Sequence, residues 1–331
     1  MQDTHTTSRN STMQSIKRFS TPLVHPIPPT RGKPPHPRHR RPPDPVPVRW
    51  FRCVLFRACW TLSILLAVTF APAAEPRAMA IMDNSFFVEE AYNQEPGVVQ
   101  HILTAHHEMD RRSGSDFHAW HLTFTQEWPV PEQTHQLSFT LPYSFLREQG
   151  RWTEGFGDLM LNYPCQVWVN RERWTALAPR ASLILPTGDP DRGPGEDTLG
   201  AQFNLPFSTI IGDAFFVHAN AGLTALPDAA SAGGRDLLHY HLAGSVIYAV
   251  TRDLHLLIEW MGTWEEGQDR TGRTTHEWWS ILSPGLRYAL NLPSDVEVVL
   301  GLAVPVGLNR AAADYGVFLY LSVEHMLWRA D

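Results

Sequence analysis

The chain has 331 residues, 27 Lys+Arg, 34 Asp+Glu and a formal net charge of −7. Beyond residue 74 the balance is sixteen basic to thirty-two acidic residues, and every basic one is Arg. This argues against nucleic acid as a partner, because phosphate binding needs clustered Lys and Arg. Cys53, Cys59 and Cys165 are the only cysteines, too few for a disulfide scaffold or a cysteine-rich metal site.

Residues 1–48 hold eleven of the 27 prolines and several Arg-His runs, a composition that cannot build a core. Two readings stand: a start-site artefact, with translation beginning near Val46 or Val48, or a disordered cytoplasmic leader. RWFRCVLFR (49–57) is a basic n-region, ACWTLSILLAVTF (58–70) an apolar h-region, and Ala71-Pro72-Ala73 offers small residues for cleavage. Together they predict a signal peptide over 49–74; an N-terminal membrane anchor is the alternative. A second possible cut follows Ala78-Met79-Ala80. Residues 75–97 are expected to form a periplasmic or plug segment.

From 98 to 328 the chain repeats a two-periodic run followed by a connector. Twelve strands are predicted: 98–107, 117–128, 134–146, 157–169, 174–186, 198–210, 214–225, 237–250, 254–264, 275–290, 296–306 and 315–328. Connectors alternate in length. Short ones include NRER (170–173) and TRD (251–253); long ones include EMDRRSGSD (108–116), REQGRWTEG (147–155) and TGDPDRGPGED (187–197). Short turns on one side and long loops on the other mark a transmembrane β-barrel, in which single-chain bacterial forms have an even strand count. The expected fold is therefore all-β: a transmembrane antiparallel barrel of about 12 strands with short periplasmic turns and longer extracellular loops. A soluble periplasmic sandwich would also alternate, burying its oily face instead.

Each run has one oily and one wetter side. Leu137, Phe139, Leu141, Tyr143 and Phe145 oppose Gln136, Ser138, Thr140, Pro142 and Ser144. Leu238, Tyr240, Leu242, Val246 and Tyr248 oppose His239, His241, Ala243, Ser245 and Ile247. Aromatic residues gather near strand ends, among them Trp120, Trp128, Trp152, Trp168, Trp174, Trp264, Trp278, Trp279 and Trp328, as interface girdles require. The last strand, YGVFLYLSVEHMLW (315–328), is aromatic-rich, although Trp328 is out of phase and three residues follow it.

Several segments resemble the outer-membrane family described as "putative MetA-pathway of phenol degradation": NSFFVEEAYNQEPGVVQHI (84–102), GFGDLMLNY (155–163), PRASLILPTGD (179–189), LGAQFNLPFS (199–208), SPGLRYALN (283–291) and GLAVPVG (301–307), with FLYLSVEHML (318–327) at the end. The resemblance implies an outer-membrane barrel that passes small aromatic or other hydrophobic compounds.

No GxSxG, HExxH, CxxC or phosphate loop occurs after residue 74, and no serine stands beside a histidine at a spacing that suggests a lipid-facing Ser–His pair. An enzyme is not expected, and no cofactor is implied. Strand parity places Glu127, Asp158, Arg180, Glu259, Arg287 and Glu297 toward the lumen, where charges are tolerated. They would form a structural ion network, or Arg180 and Arg287 would form a selective constriction. His218, His239, His241 and His255 share the inner face of adjacent strands; polar lining is favoured over a metal site. The functional expectation is a passive outer-membrane channel of a Gram-negative cell for small hydrophobic or aromatic compounds, reached after export through the inner membrane. Its partners would be outer-membrane lipid, the barrel-insertion machinery reading the C-terminal strand, and a small-molecule solute. A non-transporting structural or surface-interaction barrel is the alternative, and a soluble periplasmic β-sandwich binding protein the third.

Overall fold

Strict alternation of apolar and polar residues sends successive side chains to opposite faces of a strand. In the computed structural model this pattern produces one continuous antiparallel sheet. It describes residues 81 and 84–328, apart from 111–116, 149, 191, 193, 269–272 and 294. The expected leader (1–48) and signal peptide (49–74) lie outside the described residues.

Twelve strands occur among the described residues. β1 is Val98–Asp110, β2 Phe117–Pro129 and β3 Gln136–Glu148. β4 comes in three pieces, Arg151–Phe156, Leu159–Pro164 and Trp168–Asn170, and β5 in two, Thr175–Leu177 and Arg180–Leu185. β6 is Gly200–Ile211, β7 Phe215–Ala229, β8 Arg235–Ala249, β9 Leu254–Gln268 and β10 Thr274–Leu292. β11 is split into Val296–Ala303 and Val306–Gly307, and β12 is Tyr315–Met326. Three of the four breaks fall beside Pro164, Pro179 and Pro305, which lack the N–H a ladder needs. β12 pairs antiparallel with β1 from Val98↔Met326 to Met109↔Tyr315. The ends of the sheet thereby meet and the barrel closes. A single closed sheet excludes the two-sheet soluble sandwich.

The strands run further than alternation alone suggested, chiefly on the long-loop side. REQGRWTEG (147–155) reads as a loop because it is polar, yet Arg147↔Trp152 and Glu148↔Arg151 are ladder pairs. The Arg147 guanidinium also lies over the Trp152 ring, 5.8 Å from its centroid. Polarity there marks a hairpin standing in water, where backbone pairing continues without an oily face. TGDPDRGPGED (187–197) does fall between strands.

The outer surface is an apolar belt: Leu183, Phe203, Leu242, Val246, Ile258, Leu286, Leu300 and Leu319 are all exposed. Residues of the opposite parity on the same strands, Ser182, Gln202, His241, Ser245, Glu259, Arg287 and Ser322, are buried inside. Exposed Trp152, Trp168, Trp174, Trp264, Trp278 and Trp328 accompany the belt. Trp279 does not. Expected in the girdle, it is only 2% exposed and belongs to the interior cluster, because it sits at the opposite parity from Trp278. Outward greasy, inward polar is the reverse of a soluble protein, and it suits lipid outside and a lumen within.

The largest apolar cluster lies inside the barrel and is built around residues that precede β1. Phe86, Phe87 and Val88 pack with Ile102, Met261, Ile281, Val299, Phe318 and Tyr320. Gly97 turns this segment into β1: its φ is +85°, a value that glycine adopts without steric cost. The Glu95 carbonyl accepts the Val98 N–H at 3.0 Å.

Candidate functional site

Residues 84–94 form no helix and no strand, so their backbone polar groups need partners from elsewhere. Inward side chains of the barrel supply them. Glu259 on β9 accepts the N–H groups of Phe87 and Val88 at 3.0 and 3.2 Å. Asn220 on β7 grips Glu89 twice, accepting its N–H at 2.7 Å and donating to its carbonyl at 2.8 Å. Ser208 on β6 accepts from the Ala91 N–H at 2.7 Å, and Gln136 on β3 from the Gln94 N–H at 2.8 Å. Arg287 on β10 donates to the carbonyls of Asn84 (2.8 Å) and Ile81 (3.2 Å).

The segment is a loop within the lumen. Ile81 and Asn84 rest on Arg287, near the short-turn end of β10. At the other end the Asn93 amide donates to the carbonyls of Gln133 and Thr134, in the β2–β3 turn, and the Tyr92 hydroxyl donates to the Trp174 carbonyl. Between them Phe87 reaches His106 and Phe318, further toward the long-loop side. Burial, with the Glu90 carboxylate nearby, raises the Tyr92 hydroxyl above its ordinary pKa, so it stays a donor.

Two glycines make the seat for Phe86. A Cβ on Gly285 would stand 2.9 Å from the Phe86 ring, and one on Gly301 would meet that ring closer still. Phe318 and Tyr320 complete the seat, with ring centroids 5.3 and 5.4 Å from Phe86. Polar anchoring centres on Glu89. Its carboxylate forms an ion pair with Arg180 on β5 and accepts from the Asn204 amide at 2.9 Å. Arg180 also donates to Gln202.

A cavity of about 180 Å³ runs beside the segment. One wall is aromatic, with Phe86, Phe87, Tyr92, Phe318 and Tyr320. Another part of the lining, on β1–β4, carries Thr104, Thr123, Thr125, Ser138, Thr140 and Ser144, with Asn162 and Glu127. The two walls differ in chemistry, one π-rich and one hydroxyl-rich.

The predicted lumenal residues divide into groups. Arg180, Glu259 and Arg287 all hold the segment. Arg180 and Arg287 each have their guanidinium engaged by the segment, the first by the Glu89 carboxylate and the second by the Asn84 and Ile81 carbonyls. Glu127 lines the cavity, where its carboxylate accepts from the Gln136 amide at 2.8 Å. Asp158 instead secures the β5–β6 loop, accepting from the N–H groups of Gly188 (2.9 Å) and Glu196 (2.8 Å). Glu297 sits near the β10–β11 turn, in register with Asn291 and Glu324.

The four histidines are buried but take separate partners. His218 meets Ser208 at 2.7 Å, His241 meets Asn204 at 3.1 Å, and His239 accepts the Glu266 N–H at 3.2 Å. His255 lies against the Phe216 ring, with centroids 5.3 Å apart. Among the described residues, no three His, Cys, Asp or Glu side chains are grouped to hold a metal. Two Ser–His contacts occur among the described residues: Ser144 is 2.9 Å from His121, and Ser208 is 2.7 Å from His218. Both pairs face inward rather than toward lipid.

Sequence reasoning missed Glu89, Asn220, Ser208, Asn204 and the hydroxyl wall of β1–β3. The wetter half of the alternation contained the barrel residues among them. Glu89 carried no signal, since nothing local distinguishes it from Glu90.

No protein-family model matches the chain, and no curated protein does. Among solved structures, an outer-membrane channel from Pseudomonas putida F1 superimposes with a TM-score of 0.56 at 16% identity, covering 71% of this chain and 97% of that one. The NanC porin gives a TM-score of 0.44 at 8% identity, covering 69% of this chain and all of that one. The KdgM porin gives 0.35 at 12%, covering 68% and 98%. At 16% identity the likeness to the Pseudomonas protein extends to the fold alone: this chain folds as a closed antiparallel barrel.

Proposed function

We propose that the protein is a passive outer-membrane channel of a Gram-negative cell, exported across the inner membrane and filled on one side by its own segment 84–94. Small solutes pass along the other side. The observation that carries this reading is the cavity with one aromatic and one hydroxyl wall. Such a pair of walls suits compounds that combine a ring with a hydrogen-bonding group, which narrows the hydrophobic or aromatic class implied by the family resemblance. Lipid surrounds the exposed belt, and the insertion machinery engages β12. The fold, like that of the Pseudomonas channel, supports a channel; the cavity lining and the family resemblance together support the solute class.

A second reading has its own support. The segment is fastened by Glu259, Asn220, Ser208, Gln136 and Arg287, which suits a barrel that is plugged and serves the envelope without transport. Liposome swelling with phenolics, sugars and amino acids separates the two. Phenolics entering faster than sugars of similar size support the channel and its class. Entry no faster than into empty liposomes, for every solute, refutes the channel and leaves the plugged barrel.

A further inference from the structure

Histidine has no obvious place on a lipid-facing wall, yet two stand together there. His101 lies on β1 and His325 on β12, the two strands whose pairing closes the barrel. The ladder sets His101 opposite Val323 and His325 opposite Val99, so the histidines are diagonal neighbours on the outer face. Their Nε2 atoms are 3.1 Å apart, and the ring centroids are 5.2 Å apart. The nitrogens are closer than the rings, so the imidazoles meet edge first, Nε2 toward Nε2. The pair lies one ladder step inward of Trp128, because His101 is paired with Gln126. Tryptophan marks the headgroup level in barrels, a depth that water and ions reach from the short-turn side.

We infer that His101 and His325 form a two-histidine clip for a divalent transition metal such as Zn²⁺, Ni²⁺ or Cu²⁺. Imidazole nitrogens bind such ions at 2.0–2.1 Å, which places two ligands of one tetrahedral ion about 3.3 Å apart. Right-angled geometry, favoured by Cu²⁺ and Ni²⁺, brings them to about 2.9 Å. The observed separation lies between these values. Each ring would bind through Nε2 with its proton on Nδ1, and the ion would replace the hydrogen bond the two rings otherwise share. No third His, Cys, Asp or Glu joins them among the described residues, so water fills the remaining positions and affinity is moderate. The four lumenal histidines take no part. The ion would tie the first strand to the last, and a ligand held only by the closed barrel stabilises closure by mass action. None of this depends on what the channel passes.

The test uses the folded, untagged protein in detergent. Zn²⁺ or Ni²⁺ should raise the temperature at which the folded gel band converts to the unfolded one. Cu²⁺ should give an electron paramagnetic resonance signal from two coordinated imidazole nitrogens. Both effects should disappear in His101→Asn and in His325→Asn, each of which should lose one bound equivalent relative to wild type. Retention of the bound equivalent and of the shift in either variant overturns the proposal. Should a variant fail to fold, the wild type answers alone: Zn²⁺ must slow diethyl pyrocarbonate modification of His101 and His325, mapped by mass spectrometry. Unchanged modification at both positions would show a plain hydrogen-bonded pair.

Discussion

Replacing Phe86 by alanine should loosen segment 84–94 from the barrel wall without opening the barrel. The ring is buried against Gly285, Gly301, Phe318 and Tyr320. Truncating a buried phenylalanine costs about 3–5 kcal/mol. The adjoining cavity of about 180 Å³ can admit water and relieve part of the void, so the lower end, about 3 kcal/mol, is appropriate. Every 1.4 kcal/mol is tenfold, which gives about a hundredfold rise in the detached population. The segment contributes no ladder pair, so the barrel's gel mobility should not change. Ser85 offers a reporter: it is 2% exposed and 2.8 Å from Ser245. In a Cys165→Ser background, a Ser85→Cys thiol should react with a charged thiosulfonate about a hundredfold faster once Phe86→Ala is added, as mass action requires. An unchanged rate would show that the ring does not hold the segment, and would undo the account of the seat.

Gly301→Val drives a side chain onto the Phe86 ring and should speed the same thiol reaction. Gly244→Ala serves as control, because its Cβ would meet only the His218 carbonyl, at 3.8 Å; equal effects from the two would refute the seat. Arg180→Ala leaves Glu89 without its ion pair. A charged hydrogen-bonded contact is worth about 1.5–3 kcal/mol, so reporter labelling should rise about tenfold or more, and the reversal potential in a salt gradient should move toward cations. Glu127→Gln removes a carboxylate from the hydroxyl wall and should move that potential toward anions; no movement would place Glu127 off the conducting route. Leu242→Arg puts a charge in the middle of β8 on the outer face, where Leu242 is 52% exposed. The cost at a bilayer midplane is about 2–4 kcal/mol, read as a lower denaturation midpoint in liposomes, and an unchanged midpoint would contradict lipid contact there.

Much of the barrel could be read along the chain. The inner and outer faces of β3, β8 and β11 follow from the pleat, because side-chain direction has a period of two wherever a strand continues. Strand ends were less legible. Arg147 and Arg151 look like loop residues, but outside the bilayer a hairpin needs only backbone pairing to persist. Trp278 and Trp279 are adjacent and chemically alike, so only register could assign one to lipid and the other to the interior. Asp158 has inward parity and still serves a loop, since the break between Phe156 and Leu159 takes it out of the ladder.

Local alternation by itself determined an all-β chain with an oily and a wet side and with enough strands to close. That information is carried by neighbours in sequence. What occupies the lumen was decided only in three dimensions. Segment 84–94 has no periodicity, and its partners are remote: Phe87 meets Glu259 across 172 residues of chain, and Glu89 meets Asn220 across 131. Such contacts exist once β1 and β12 pair and fix the position of every strand around the ring. Before closure, Glu259 and Arg287 are two charges on two strands; after it, they are partners of one lumenal backbone, alongside Asn220, Ser208 and Gln136.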